Sequence, residues 1–292
     1  YQIPFAIKNG KTVIDYDLYK GDSILLKLSK TAHAKTNTVS LKKAFHCEPS
    51  KTFRFMEKVN FKRSEPNVLL LDRAEYSLNG EPLNEEEEIL ILDNICRKKM
   101  GWPLRMEAFA QPWVVKEEPI TDFITLKFKI NSEIEVIGAK LAIEDAEKLE
   151  INLNGENVPP IVNGWYVDKS IKTVALPKIK KGLNQLTVKI PFGKRTNTEW
   201  CYILGEFCVK VEGTISTIIP LTNKIGFSSL TNQGMPFYGG NVIYKTEIET
   251  PNCSAVIRAN YFRGALIKVL IDGKDKGVIA FSPYKLRVDG LT

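Results

Sequence analysis

Four adjacent carboxylates, Glu85 to Glu88, are the densest run of acids in this sequence. Convergent carboxylates would bind a metal or serve acid–base chemistry. Residues one apart on a helix do not face each other, however. The run also precedes an apolar stripe, so we read it as the charged first turn of a helix. Only two histidines occur, His33 and His46, both in an irregular N-terminal region. We read them as ordinary surface or core side chains. The five cysteines, Cys47, Cys96, Cys201, Cys208 and Cys253, include no CxxC pair and no Cys/His cluster, which argues against zinc. Their odd number in a chain this large does not suggest a disulfide framework, and we expect most to be small buried hydrophobes. No G-x-S-x-G, phosphate loop or dinucleotide fingerprint is present. Glycoside hydrolysis needs two carboxylates about 5–10 Å apart in a cleft. Thirty-four acids are available, and spacing alone selects no pair. No catalytic residue, metal ligand or cofactor is therefore assigned.

The elements that must position any site are mostly strands. The 292 residues suffice for roughly two domains. With 43% hydrophobic and 26% charged residues, the chain has an ordinary globular composition. No apolar run approaches the 18 or so residues of a membrane helix. The net charge is +7, but the basic residues are scattered, so neither nucleic acid nor a membrane is an expected partner. The chain opens YQIPFAIKNG, without an initiator Met and inside a strand-like stretch. We read this as an internal boundary. The sequon Asn252-Cys253-Ser254 is weak evidence of secretion. No compartment is fixed, with the cytoplasm favoured over export.

Residues 1–70 read as extended, with Asn9-Gly10 as a hairpin turn. The stretches 12–19, 23–28 and 53–55 are its clearest strands, and it could close an upstream sandwich. Residues 71–119 read as a connector. Its helix is expected at about 83–100, with Glu85–Glu88 first, Arg97, Lys98 and Lys99 last, and Gly101 as the stop. Ile89, Leu92 and Cys96 make its stripe, widened by Leu90 and Ile95. Trp102, Trp113 and three prolines then mark an irregular packed segment. From 120 the period changes to two, in 121–130, 148–153 and 186–190, with turns at Asn154-Gly155, Asn163-Gly164, Gly182 and Gly193. That predicts a mainly β fold of tandem antiparallel β-sandwiches of jelly-roll type, at 120–212 and 213–292, with one helix in the connecting segment. A degenerate repeat relates Leu141–Pro160 to Ala255–Gly277. In the first copy Gly182-Leu183-Asn184-Gln185-Leu186-Thr187-Val188 follows; in the second its counterpart would begin near Thr292. The second sandwich is therefore expected to lack a strand within this sequence.

The order of strand, Asn-Gly turn, aromatic loop, strand and then Gly182 to Ile190 resembles the galactose-binding-like β-sandwich. Such modules accompany many glycoside hydrolases, including the β-galactosidase and α-L-rhamnosidase groups. Trp200 to Phe207 is similar to segments linking two such modules, and Gln233 to Tyr244 looks like the opening of a C-terminal one. Glu65 to Asp72 and Ala110 to Trp113 look like a bridging region of the same enzymes. The resemblance covers about residues 60–292 and is strongest over 149–292. It implies a non-catalytic accessory region that supports the catalytic domain of a parent glycoside hydrolase, and contact with carbohydrate. The catalytic carboxylates of such enzymes lie in a separate barrel, which needs about 250 residues of alternating strand and helix. The alternatives are an independent carbohydrate-binding module and a self-contained enzyme. Sugar contact needs exposed rings and nearby amides. The candidates are Trp165 and Tyr166 after Asn163-Gly164, and Tyr238 with Asn241 around Gly239-Gly240. The competing reading is that these aromatics plug sandwich ends or a domain seam.

Overall fold

The computed structural model describes residues 5–14, 16, 23–27, 51–105, 118–196, 198–249 and 253–291. The protein is mainly β, built from several antiparallel sheets, with one α-helix among the described residues. It forms two compact units, Phe55–Thr246 and Tyr1–Arg54 together with Glu247–Thr292. The expected strands at 23–28 and 53–55 carry no strand pairing in their described residues, while His33, His46, Cys47 and Trp113 lie outside the described residues.

In chain order the strands begin with β1 (Ala6–Lys8) and β2 (Lys11–Val13) in the smaller unit. The larger unit contains β3 (Val59–Arg63), β4 (Asn67–Leu71), β5 (Arg73–Leu78) and β6 (Asn84–Glu88), then helix α1 (Ile89–Lys99). It continues with β7 (Asp122–Ser132), β8 (Lys140–Glu144), β9 (Glu150–Leu153), β10 (Glu156–Val158), β11 (Val162–Tyr166) and β12 (Asp168–Ala175). Next come β13 (Gly182–Phe192), β14 (Cys201–Gly205), β15 (Cys208–Glu212), β16 (Ile215–Ile219), β17 (Lys224–Ile225) and β18 (Val242–Lys245). The smaller unit ends with β19 (Cys253–Arg258), β20 (Ile267–Ile271), β21 (Lys274–Ile279) and β22 (Lys285–Leu291).

Two sheets of the larger unit share one core. The first is eight-stranded, ordered β10-β9-β13-β7-β16-β15, with β5 also on β7 and β6 on β5. The second is five-stranded, ordered β11-β12-β8-β14-β4. Period-two alternation sends Ile124, Leu126, Phe128 and Ile130 of β7 inward, beside Leu186, Val188 and Phe192 of β13. Leu69, Leu141, Val174 and Ile203 of the five-stranded sheet join the same cluster. Each fully buried side chain of this size contributes about 1.5–3 kcal/mol. Strands from 67–78 and 215–219 thus complete the sheets formed by 122–205, and the compact unit cuts across the division at 70, 119 and 212 drawn from sequence.

The helix starts later than its charge pattern implied. Asn84–Glu88 is strand β6, antiparallel to β5, with Arg73 bridging Glu86 at 3.3 Å and Glu87 at 3.6 Å. Cross-strand pairing with a cation holds these glutamates in a strand, where a helical first turn would have stacked like charges. Glu88 is instead the N-cap, its carboxylate accepting from the amides of Leu90 and Ile91 at 3.0 and 3.1 Å. Ile89, Leu92 and Cys96 form the buried stripe, but Leu90 and Ile95 are exposed. Asp93 is buried as well, with Arg97 one turn on. Arg97 Nε donates to Asp93 at 2.7 Å, and its two terminal nitrogens donate to the carbonyls of Lys194 and Thr196 at 3.0 and 2.7 Å. The helix is thereby fastened to the loop after β13. Trp102 packs on Phe192 with ring centroids 5.2 Å apart, as expected of a packing tryptophan.

Turn chemistry was legible. Asn9-Gly10, Asn154-Gly155 and Asp272-Gly273 each have two positive φ values and close the two-residue hairpins β1–β2, β9–β10 and β20–β21. Asn163-Gly164 does not turn. It runs within β11, where a Cβ on Gly164 would lie 3.0 Å from Thr173 Oγ1. In the two repeat segments β8 pairs with β12, and β19 pairs with β22, both antiparallel, and each copy contains an Asn-Gly or Asp-Gly hairpin. Among the described residues, Cys96, Cys201 and Cys208 are free and buried. Burial pushes the Cys96 thiol up to about 11 and raises that of Cys201 as well, so both behave as small hydrophobes.

Candidate functional site

The outer face of the five-stranded sheet is apolar where a solvated face would be polar. Alternation turns Cys201 and Ile203 of β14 to the core and Tyr202 and Leu204 away from it. Opposite them stand Leu70 and Val68 of β4 and Ala142 of β8. Val68, Ala142 and Leu204 are buried and form a second apolar cluster with Tyr166, Ile171, Tyr202 and Phe237. Tyr166 and Tyr202 lie with ring centroids 5.2 Å apart, tilted by 58°.

Phe237 reaches this face from a loop that other residues hold in place. Asn67 Nδ2 donates to the carbonyls of Phe207 and Gly234 at 2.9 and 2.8 Å. The Ser64 amide donates to the Asn241 carbonyl at 3.1 Å, and the Asn241 amide donates to Ser64 Oγ at 3.1 Å. Tyr238 then folds back within the loop. Its hydroxyl donates to the Asn241 carbonyl at 2.8 Å and accepts from the Glu65 amide at 3.4 Å. Gly240 lies close against this pair, and a Cβ there would displace the Glu65 carboxylate and sit 2.6 Å from the Tyr238 hydroxyl. Burial, with smaller contributions from Tyr202, Glu65 and Tyr238, raises the Tyr166 hydroxyl above its ordinary value. Burial does the same for Tyr202. Both phenols therefore stay protonated hydrogen-bond donors at neutral pH.

Of the residues singled out from sequence, Tyr166 packs in the apolar cluster that Phe237 joins, and Tyr238, next to Phe237, accepts from the Glu65 amide. Asn241 joins them through its backbone, and its side chain is exposed. Trp165 does not join. It stands opposite Lys172, out of phase with Ile171 and Thr173, and is 56% exposed. Tyr202, Phe237 and Glu65 were missed. The available signal was the unbroken apolar run 201–204, which marks a strand covered on both faces.

One end of the sandwich has a depression of about 60 Å³ lined by Ile120, Ile143, Leu149, Ile190, Glu144 and Glu199, among others. That is room for only a couple of waters. Its Glu199 is bonded by Arg105, and Asp145 is paired with Lys148 at 3.0 Å. Among the described residues no group of three or more His, Cys, Asp or Glu is placed to hold a metal ion. No helix among them is long and apolar enough to cross a membrane. No protein-family model, curated protein or solved structure matches the chain.

Proposed function

We propose that this chain is a non-catalytic accessory β-sandwich region of a glycoside hydrolase, supporting its catalytic domain and contacting carbohydrate through the outer face of the five-stranded sheet. The observation behind this reading is the packing of Tyr166 against Tyr202, with ring centroids 5.2 Å apart, in the cluster that Phe237 joins from the loop where the Tyr238 hydroxyl accepts from the Glu65 amide. Aromatic faces suit the C–H face of a pyranose, while phenols and a carboxylate suit its hydroxyls. The surrounding apolar patch of Ile171, Tyr202 and Phe237 suits a surface that packs against a larger neighbour.

Titration of the chain with galactose- and rhamnose-containing oligosaccharides, followed by calorimetry, tests the reading. Tyr166→Ala is expected to weaken binding tenfold or more, about 1.4 kcal/mol. Tyr238→Phe, which keeps the ring and loses the hydroxyl, should weaken it less. Trp165→Ala should leave affinity unchanged. Binding that survives Tyr166→Ala and Tyr238→Phe would refute the assignment of this face.

A further inference from the structure

The outer face of the eight-stranded sheet differs from that of its partner sheet. Register places Asn157 of β10 beside Asn152 of β9, Asn152 beside Thr187 of β13, and Thr187 beside Lys127 of β7. In the next row Glu150, Lys189 and Thr125 stand side by side. Paired residues share a face, so these side chains lie together on the solvent side. Thr125, Glu150, Ile151, Asn152, Asn157, Thr187 and Lys189 line an open groove of about 260 Å³. That is close to the lower end of small-molecule sites, about 300–1,000 Å³.

The groove's polar groups are largely uncommitted. The side chains of Thr125, Thr187 and Asn157 make no hydrogen bond among the described residues, and Asn152 uses only Oδ1, accepting from the Gly155 amide at 2.8 Å. The charges, by contrast, cancel locally. Lys189 pairs with Glu150 at 2.8 Å, and Glu75 takes Lys129 at 2.5 Å and Lys127 at 3.8 Å. The hydrogen bond from Lys129 holds the Glu75 carboxyl below its ordinary value, so the carboxylate stays ionised and balanced near neutral pH.

We propose that this groove binds a neutral, linear oligosaccharide laid across the strands and held by hydrogen bonds to Asn152, Asn157, Thr125 and Thr187. The ligand must offer many hydroxyls, because the uncommitted side chains of the groove end in short amides and hydroxyls. An extended peptide is a poor fit, since the backbone groups of β9, β13 and β7 are already used in the ladder. An acidic glycan gains nothing from lysines that already have partners. Strands lie about 4.8 Å apart, so β10 to β7 span about 14 Å. One strand step is close to the advance of one pyranose unit, so successive sugars would meet successive strands. This face belongs to the other sheet from the Tyr166 cluster, and the two sites can fail separately.

The test uses the 292-residue chain with xylohexaose, cellohexaose and mannohexaose, and oligogalacturonate as the charged control, followed by calorimetry and amide chemical shifts. At least one neutral hexasaccharide is expected to bind, with affinity falling tenfold or more in Thr187→Val with Asn152→Ala. Valine suits a strand and matches threonine in shape. If the double variant is nonetheless misfolded by circular dichroism, Asn157→Ala on exposed β10 decides, with a loss of threefold or more. Three results overturn the proposal: no neutral hexasaccharide binds, binding persists in these variants, or binding is lost only in Tyr166→Ala. The last outcome would leave the Tyr166 face as the sugar site and this groove as a solvated sheet surface.

Discussion

Replacing Arg97 by alanine is expected to lower the unfolding free energy by about 3–5 kcal/mol, as for other buried pairs that lose one partner. The Asp93 side chain is fully buried and that of Arg97 is 7% exposed. Removing the guanidinium strands a carboxylate whose Oδ1 already lacks a partner. It also takes the donors from the Lys194 and Thr196 carbonyls and one cation from over the Phe192 ring. Urea denaturation at neutral pH measures the loss. Replacing both members, Arg97→Met with Asp93→Leu, should recover part of it, because no buried charge remains. Recovery should stay incomplete, since the two loop carbonyls still lack donors. A single-variant loss below about 1 kcal/mol would mean that water reaches Asp93, and that the pair does not fasten the helix to the loop.

The second large effect is expected at Gly234. Its φ is +79°, and a Cβ there would fall 2.6 Å from Cys208 Cβ and 2.8 Å from its sulfur. Gly234→Ala therefore combines left-handed backbone strain of about 1–2 kcal/mol with overpacking of about 1–3 kcal/mol. A total loss of roughly 2–5 kcal/mol follows. The Gly234 carbonyl also accepts from Asn67 Nδ2 and from the Val209 amide, both at 2.8 Å. Shifting it should disturb the segment that brings Phe237 and Tyr238 to the sheet. The Tyr166 ring resonances should then move in an NMR spectrum, although Tyr166 lies far away in sequence. A variant with wild-type melting and unmoved Tyr166 signals would show that loop and sheet are not linked through this glycine.

Much of the fold could be read from side-chain period. The alternating runs of β7, β9 and β13 appear where period two placed them, because one face of each is buried and the other wet. The start of α1 was misread because Glu85–Glu88 satisfy two rules at once. They suit a helix N-terminus, and they also suit an edge strand beside Arg73. Only the distant pairing decides between them. The candidate face was half legible for a similar reason. Tyr166 and Tyr238 attract notice beside glycines, whereas Tyr202 sits within an apolar run that looks like core. That its side chain leaves the core depends on which neighbours β14 acquires, and β4 comes from far upstream. Glu65 gains meaning only when Gly240 closes on it.

The Asn-Gly hairpins also bear on how the molecule ages. Succinimide formation at Asn-Gly needs a free side-chain amide that can swing towards the following backbone nitrogen. Asn154 is held by Asn184 Oδ1 at 2.8 Å and by the Gln185 amide at 2.9 Å. Asn79, which precedes Gly80, is held by Asp122 at 2.7 Å and by the Phe123 amide at 2.9 Å. Asn9 is exposed, and its side chain makes no hydrogen bond among the described residues. Among these three hairpin asparagines deamidation should therefore begin at Asn9, producing a more acidic species on ion exchange while the sandwich stays intact. Peptide mapping after incubation at mildly alkaline pH would locate it. Conversion at Asn154 or Asn79 ahead of Asn9 would show that those two turns open more readily than their hydrogen bonds imply.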